Sequence, residues 1–286
     1  VKLALIGVGL IGGSAAAAWR GAGVTAVIGY DRDPQAGERG RALGFVDALA
    51  PSAGAAAAGA DLVLLAVPVL SMRGVLDEIA AAVPPHAVIT DVGSTKAAVI
   101  AAARAALRSS FRRFVPGHPI AGRELPGVEH ADARLFEGKL VITTPVAETD
   151  AEARTLVESL WTRAGARVAT MDAAEHDRIF AAVSHLPHLL AFALVAAIAT
   201  ESDGARKLGY AGAGFRDFTR IAASSPVMWR DVCLANRDAV SAELKRYRGL
   251  LEELQRAIDS GDAQTLERTF AIAAAARRRH STLDAE

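Results

Sequence analysis

Gly7-Val8-Gly9-Leu10-Ile11-Gly12 is the stretch that decides the fold. An apolar run at residues 3–6 precedes it and an alanine-rich helix former, Ala15-Ala16-Ala17-Ala18, follows. The glycines therefore occupy a strand-to-helix turn, the setting in which G-x-G-x-x-G is informative. Gly7 permits the tight turn, Gly9 lets a pyrophosphate approach the backbone, and Gly12 lets the helix pack closely on the strand. Leu10 and Ile11 open that helix, whose N–H groups and dipole favour an anion at this end. Asp31 stands 19 positions after Gly12, at the end of a second apolar run. There a carboxylate accepts hydrogen bonds from an adenosine ribose and repels a 2′-phosphate, which favours NAD. Arg32 is suited to stacking on adenine or receiving a 2′-phosphate, and equally to standing as a solvated surface charge, so NADP stays open.

Outward from this turn, residues 3–7, 26–30, 61–67, 87–91 and 114–116 read as strands, each stopped by Gly, Pro or an acid and separated by helical stretches. That is the βαβ pattern of a parallel sheet. A strand at 139–144, a helix at about 150–164 and an extended piece at 166–171 complete this half, and residues 50–60 read as an Ala/Gly-rich surface segment. After residue 171 the strand signal disappears. Asp172 suits the N-cap of a helix through Ile198, with Pro187 kinking it and tilting the turn that carries Ser184 and His185. Ser224-Ser225-Pro226 starts another helix, expected to run to Asp259 before Ser260 and Gly261 stop it. Within it Val240, Leu244, Tyr247, Leu251, Leu254 and Ile258 form a heptad-like apolar seam that wants a partner helix, in the same chain or in a second copy. The expected architecture is α/β: an N-terminal Rossmann-type parallel-sheet domain at 1–171, then an all-helical domain at 172–286 that closes the site and forms a homodimer.

The 286 residues exceed a typical domain of about 100–200, in keeping with two domains sharing a cleft. A net charge of +0 gives no electrostatic footprint for nucleic acid or an anionic membrane, so a small metabolite is the expected partner. A lone Cys233 excludes an intrachain disulfide framework and a cysteine zinc cluster, and fits a reducing compartment. The first strand begins at the N-terminus, leaving no room for a cleavable signal peptide, and the expected location is cytoplasmic. Residues 179–200 have the length of a membrane span, but Ser184, His185, Pro187 and His188 inside them favour a buried core helix. His185 and His188 lack the i, i+4 spacing of a zinc-binding helix and a clear third ligand, so no metal is expected.

Val67-Pro68 and Asp91-Val92-Gly93-Ser94-Thr95-Lys96 fall at carboxyl ends of strands, where open α/β sheets bind ligands. Ser94 and Thr95 either cap the following helix or contact substrate or nicotinamide. Gly117-His118-Pro119-Ile120-Ala121-Gly122-Arg123-Glu124 comes directly after a strand. Together with residues 9–14, 91–96, Ser184-His185-Leu186-Pro187-His188, residues 214–222 and Met228-Trp229-Arg230-Asp231, all in order, this motif resembles the prephenate/arogenate dehydrogenase family of tyrosine biosynthesis. The resemblance runs from the first strand to Asn236.

The resemblance implies oxidative decarboxylation: hydride leaves C4 of a cyclohexadienol ring for NAD+, carbon dioxide leaves C1, and the ring becomes aromatic. The family's base, hydrogen-bonded to the C4 hydroxyl, corresponds to His118, and an imidazole titrating near neutrality suits that role. Ser94 is expected beside the nicotinamide. Two substrate carboxylates call for cationic donors, and Arg220 matches the family's carboxylate-binding arginine. Arg216, where relatives can carry lysine, is read as an ion-pair partner of Asp217 or Glu124 across the cleft, or as a substrate contact. His185 matches a family histidine near the substrate, His188 reads as a packing residue, His176 as a solvated helix residue, and Trp229 as a buried tryptophan or a cover over the substrate. Arg123 replaces a small residue, leaving open whether the side chain accepted is the pyruvyl group of prephenate or the alanyl group of arogenate, and whether tyrosine inhibits. A β-hydroxyacid dehydrogenase would need a catalytic lysine in its helical half, where Lys207 and Lys245 sit in no recognisable motif. A non-catalytic NAD sensor would not need His118 and Arg220 together.

Overall fold

Residues 3–6 are buried on both faces, and that sets the architecture. The computed structural model describes residues 1–123 and 125–283. In it β1 (Lys2–Ile6), β2 (Ala26–Tyr30), β3 (Ala48–Leu49), β4 (Leu62–Leu65), β5 (Val88–Asp91) and β6 (Phe114–Val115) form one parallel sheet in the order β3-β2-β1-β4-β5-β6. Helices α1 (Leu10–Arg20), α2 (Pro34–Ala42), α3 (Ala53–Ala57), α4 (Met72–Ile79) and α5 (Ala97–Leu107) connect the strands. The chain moves outward from β1 to β3 and then returns to β4, so the carboxyl ends of β1 and β4 open a crevice at the point of reversal. Successive side chains of a strand point to opposite faces. Leu3, Leu5, Leu62 and Leu64 accordingly enter a core with Trp19 and Trp161, while Ala4, Ile6, Val63 and Leu65 enter another with Met72 and Phe114. Burial on both faces is why these strands read as continuous apolar runs.

The segment at 50–60 is not surface: Ser52 caps α3 by accepting from Ala55 N at 3.1 Å, and Ala53, Ala56 and Ala57 join the second core. A small second sheet, β7 (Gly117–Pro119), β8 (Leu140–Thr143) and β9 (Arg167–Thr170), also departs from the expected pattern, because β7 runs antiparallel to β8 and sets His118 opposite Ile142. Helix α6 (Ala151–Arg163) lies between β8 and β9, and its Trp161 meets Trp19 edge-on with centroids 4.8 Å apart.

Asp172 caps α7 (Ala173–Phe180) by accepting from Ala174 N and Glu175 N. One π-helical turn, Ala181–His185, then leads into α8 (Leu186–Ala199). Pro187 has no N–H to offer residue 183, and the wider turn absorbs that gap. The expected buried core helix is not what forms, since in α8 only Leu186 and Ala191 are buried. By length and composition the run Ala173–Ala199 could cross a membrane, and 28% of its most apolar stretch is buried. The chain continues through α9 (Gly204–Gly209), α10 (Ala213–Thr219), a 3₁₀ turn at Arg220–Ala223 that packs on α8, and α11 (Pro226–Ala235), which packs on residues 69–71. The single helix expected over 226–259 is two, because Asn236, at φ −116° and ψ 33°, leaves helical geometry and turns its side chain inward.

The chain divides into two compact units, residues 1–237 and the part from 238 onward. The second holds α12 (Arg237–Ser260), apart from its first residue, and α13 (Ala263–Leu283), joined at Gly261, whose φ of +69° favours glycine. Along the α12 seam Leu244, Leu251 and Ile258 are exposed, as are Phe270 and Ile272 on α13.

Candidate active site

The crevice begins at the glycine turn. Gly7 has φ +99°, and a Cβ there would run into the Ala66 carbonyl oxygen; a Cβ on Gly12 would meet Gly7 O and Leu5. Gly9 differs, because a Cβ there would meet nothing within 4 Å. That open side faces the start of α1, which has no side-chain cap, so the N–H groups at Leu10 and Ile11 are available to an anion. Asp31 Oδ2 accepts from Val8 N at 2.8 Å and Oδ1 from Asp33 N at 2.9 Å, which fixes the carboxylate against the turn. Arg32 is exposed, and Val67 and Pro68 are half-buried just past β4. An open glycine, an uncapped helix start and a carboxylate at the end of β2 fit a dinucleotide.

Beyond β5 the turn at 91–96 is clamped from below. Asp91 Oδ2 accepts from Lys96 Nζ at 2.5 Å and from Gly93 N at 2.8 Å, and Oδ1 accepts from Gly117 N at 3.1 Å. Lys96 Nζ also donates to Gly117 O at 2.5 Å, so the pair ties this turn to the strand carrying His118. Burial pushes the Lys96 ammonium below its ordinary range, against the pull of Asp91. Ser94 is half-buried, while Thr95 is buried with its hydroxyl unpartnered. Neither caps α5. That role falls to Asp177, which accepts from Lys96 N at 2.8 Å and Ala97 N at 2.9 Å.

His118 is buried, and its Nδ1 lies 2.8 Å from His176 Nε2. His176 Nδ1 lies in turn 2.8 Å from Asp177 Oδ1. Burial holds His118 well below the usual histidine range, and His176, Lys96 and His185 push it the same way. His185 is fully buried and lowered to about 4, chiefly by desolvation, with Asp177 opposing. Its Nδ1 is 3.2 Å from Asn236 Nδ2, which also donates to Asp177 O at 2.7 Å. His188 contacts Ser184 O through Nδ1 at 2.9 Å and stacks on Trp229 with centroids 3.5 Å apart. Nε1 of the buried Trp229 has no hydrogen-bond partner among the described residues, while His185 also meets the Ser94 backbone. A buried unpaired donor or acceptor costs about 1–3 kcal/mol, which a polar ligand can offset.

The π turn explains how His176 and His185 come to share this network. Nine residues at about 100° each put two side chains on opposite faces of a regular α-helix, and one residue absorbed as a bulge reduces the difference to about 80°.

Arg220 opens the 3₁₀ turn and is exposed; Arg216, on α10, donates from Nη1 to Ala211 O at 2.8 Å. Glu124 lies outside the described residues. Arg123 pairs with Asp132 at 2.8 Å, and Asp132 N donates to Ser14 Oγ at 2.9 Å, so the segment after His118 is pinned to α1. His176, which sequence reasoning takes as solvated, is fully buried. A signal was present, since Ala173, His176, Asp177, Phe180 and Ala181 recur at the i, i+3, i+4, i+7, i+8 spacing of a buried stripe. Among the described residues no group of three or more His, Cys, Asp or Glu could hold a metal ion.

A parallel sheet with a dinucleotide crevice and a buried neutral imidazole beside it defines a dinucleotide-dependent oxidoreductase. Residues 15–170 match the family described as prephenate dehydrogenase, nucleotide-binding domain, and residues 172–272 match prephenate dehydrogenase, dimerization domain. The chain belongs to the prephenate dehydrogenase family. It is 37% identical to the cyclohexadienyl dehydrogenase of Zymomonas mobilis over 94% of this chain and 92% of that one. It is 36% identical to the prephenate dehydrogenase of Bacillus subtilis over 94% of this chain and 73% of that one. It superposes with a TM-score of 0.86, at 35% identity and 95% coverage of both chains, on the prephenate dehydrogenase of A. aeolicus solved with hydroxyphenyl propionate and NAD+.

Proposed function

We propose that this enzyme catalyses the NAD-dependent oxidative decarboxylation of prephenate, arogenate or both, with His118 as the base. The observation that carries the reading is His118 itself: a buried imidazole kept neutral, with Nδ1 engaged by His176, at the carboxyl-end crevice. Gly7, Gly9, Leu10, Ile11, Gly12, Asp31, Arg32, Val67, Pro68 and Ser94 would hold NAD, with Asp31 setting the preference over NADP. When bound, NAD+ accepts the hydride from C4 of the cyclohexadienol ring. His118 Nε2 takes the C4 hydroxyl proton as that carbon becomes a carbonyl. The C1–carboxylate bond then breaks, carbon dioxide leaves, and the electron pair of that bond aromatises the ring. His118 returns its proton to the resulting phenolate oxygen, so atoms and charge balance. Arg220 supplies a cationic donor for a substrate carboxylate, Arg216 supplies either a gating ion pair or a second such donor, and Thr95 and His185 offer buried polar contacts.

The exposed apolar residues of α12 and the thinly covered α8 fit a homodimer through the helices of the 172–286 domain. Glu175, His176, Asp177, Arg178 and His185, in the one run among the described residues long enough to span a membrane, argue for an aqueous setting, and with the lone Cys233 for the cytoplasm.

The test offers prephenate and arogenate separately with NAD+ and follows NADH by absorbance, alongside His118→Asn. Turnover of either compound, reduced by about 10²-fold or more in the variant while NAD+ still binds, supports the reading. No turnover of either despite NAD+ binding overturns it.

A further inference from the structure

His118 has a single orientation open to it, because the groups behind it are ordered by which of them can donate. Asp177 receives backbone N–H groups on both oxygens, from Lys96 and Ala97, at the positive end of α5. It is thereby held ionised and acts only as an acceptor. His176 must then donate from Nδ1 to Asp177. Burial keeps the rest of the His176 ring neutral, so its Nε2 is an acceptor, and the 2.8 Å contact to His118 requires the proton on His118 Nδ1.

We propose that His176 and Asp177 form a positioning relay that fixes His118 in the Nδ1–H tautomer, leaving its Nε2 lone pair for the substrate hydroxyl. This rests on the reading of His118 as the base and adds two residues to it. The relay has a second effect: once His118 holds the substrate proton, its Nδ1–H bond to His176 becomes charge-assisted, with the Asp177 carboxylate one ring further on. The other charged or titratable groups around His118 are Lys96, Asp91 and His185. Lys96 is neutralised by Asp91 at 2.5 Å, which leaves Asp177 as the carboxylate that can balance the imidazolium. Asn236 holds the relay from behind by donating to the Asp177 carbonyl.

Asp177→Asn puts the inference at risk. An amide at this position can donate to His176 Nδ1, which turns the His176 proton onto Nε2 and forces His118 into the Nε2–H tautomer. We expect kcat to fall by about 10²- to 10⁴-fold with KM and NAD+ affinity within about threefold of wild type. Ring-nitrogen NMR of the full-length enzyme should show His118 protonated at Nδ1 in the wild type. A wild-type Nε2–H tautomer, or Asp177→Asn with undiminished kcat, overturns the relay. Should Asp177→Asn fail to fold through loss of the α5 cap, His176→Gln and His176→Leu decide the matter. The glutamine oxygen can still accept from His118 Nδ1, so it should retain at least about tenfold more kcat than leucine, and equal rates in the two overturn the relay. Should His118→Asn remain active, the base reading fails; should it be inactive while the relay variants match wild type, the relay alone fails.

Discussion

Lys96 and Asp91 are paired at 2.5 Å with neither side chain reaching solvent. The pair joins the end of β5 to the start of β7 through Gly117. Removing one partner strands the other charge in the interior. Lys96→Met is expected to cost about 3–5 kcal/mol, read as a lower urea midpoint. An unchanged midpoint would show that the pair carries no such burden.

Acid should unfold the protein earlier than its carboxylates alone require. His185 titrates near 6.5 in the unfolded chain and at about 4 when folded. Between those values the unfolded state binds more protons, so the stability present above pH 6.5 is lost as pH falls through about 4. That shift corresponds to about 3 kcal/mol for His185, and His118 and His176 are lowered in the same direction. The melting temperature is expected to fall steadily from pH 6.5 to 4, with a shallower slope in His185→Gln. A flat wild-type profile over that range contradicts the assignment.

Gly7 and Gly9 should respond to alanine in opposite ways. Gly7→Ala meets the Ala66 carbonyl at φ +99° and is expected to destabilise the fold by several kcal/mol. Gly9→Ala has room and ordinary backbone angles, so it should melt like wild type while NAD+ affinity drops by about tenfold or more. Calorimetry for stability and titration for binding separate the two. Equal losses of NAD+ affinity without any loss of stability would refute the division.

The sheet was legible because its signals are local: Gly7, Gly9 and Gly12 announce one turn, and doubly buried strands announce themselves as apolar runs. Strand β3 was not, because Ala48-Leu49 at the sheet's edge makes no apolar run, and β7 was not, because Gly117-His118-Pro119 carries no strand-forming apolar side chain. His118 and His185 were visible through motif and family likeness. Asp177 was not, because the helix it caps begins 80 residues earlier, and the N-cap chemistry expected of Ser94 and Thr95 is supplied across space. Asn236 was hidden for the same reason: it ends α11 to reach Asp177 and His185, and nothing adjacent in the chain marks it.

The π turn before Pro187 makes the number of residues between Asp172 and Pro187 as consequential as their identity. Helix α8 is apolar almost all the way round, so its composition hardly distinguishes an inner side from an outer one. The bulge settles that choice by counting. Beyond the one residue that the bulge itself absorbs, adding or deleting a residue ahead of it would rotate everything after it by about 100° and carry Leu186 off its buried side without changing a single interaction preference. Such a segment tolerates many substitutions and hardly any change of length, so a ruler rather than a code governs this part of the chain.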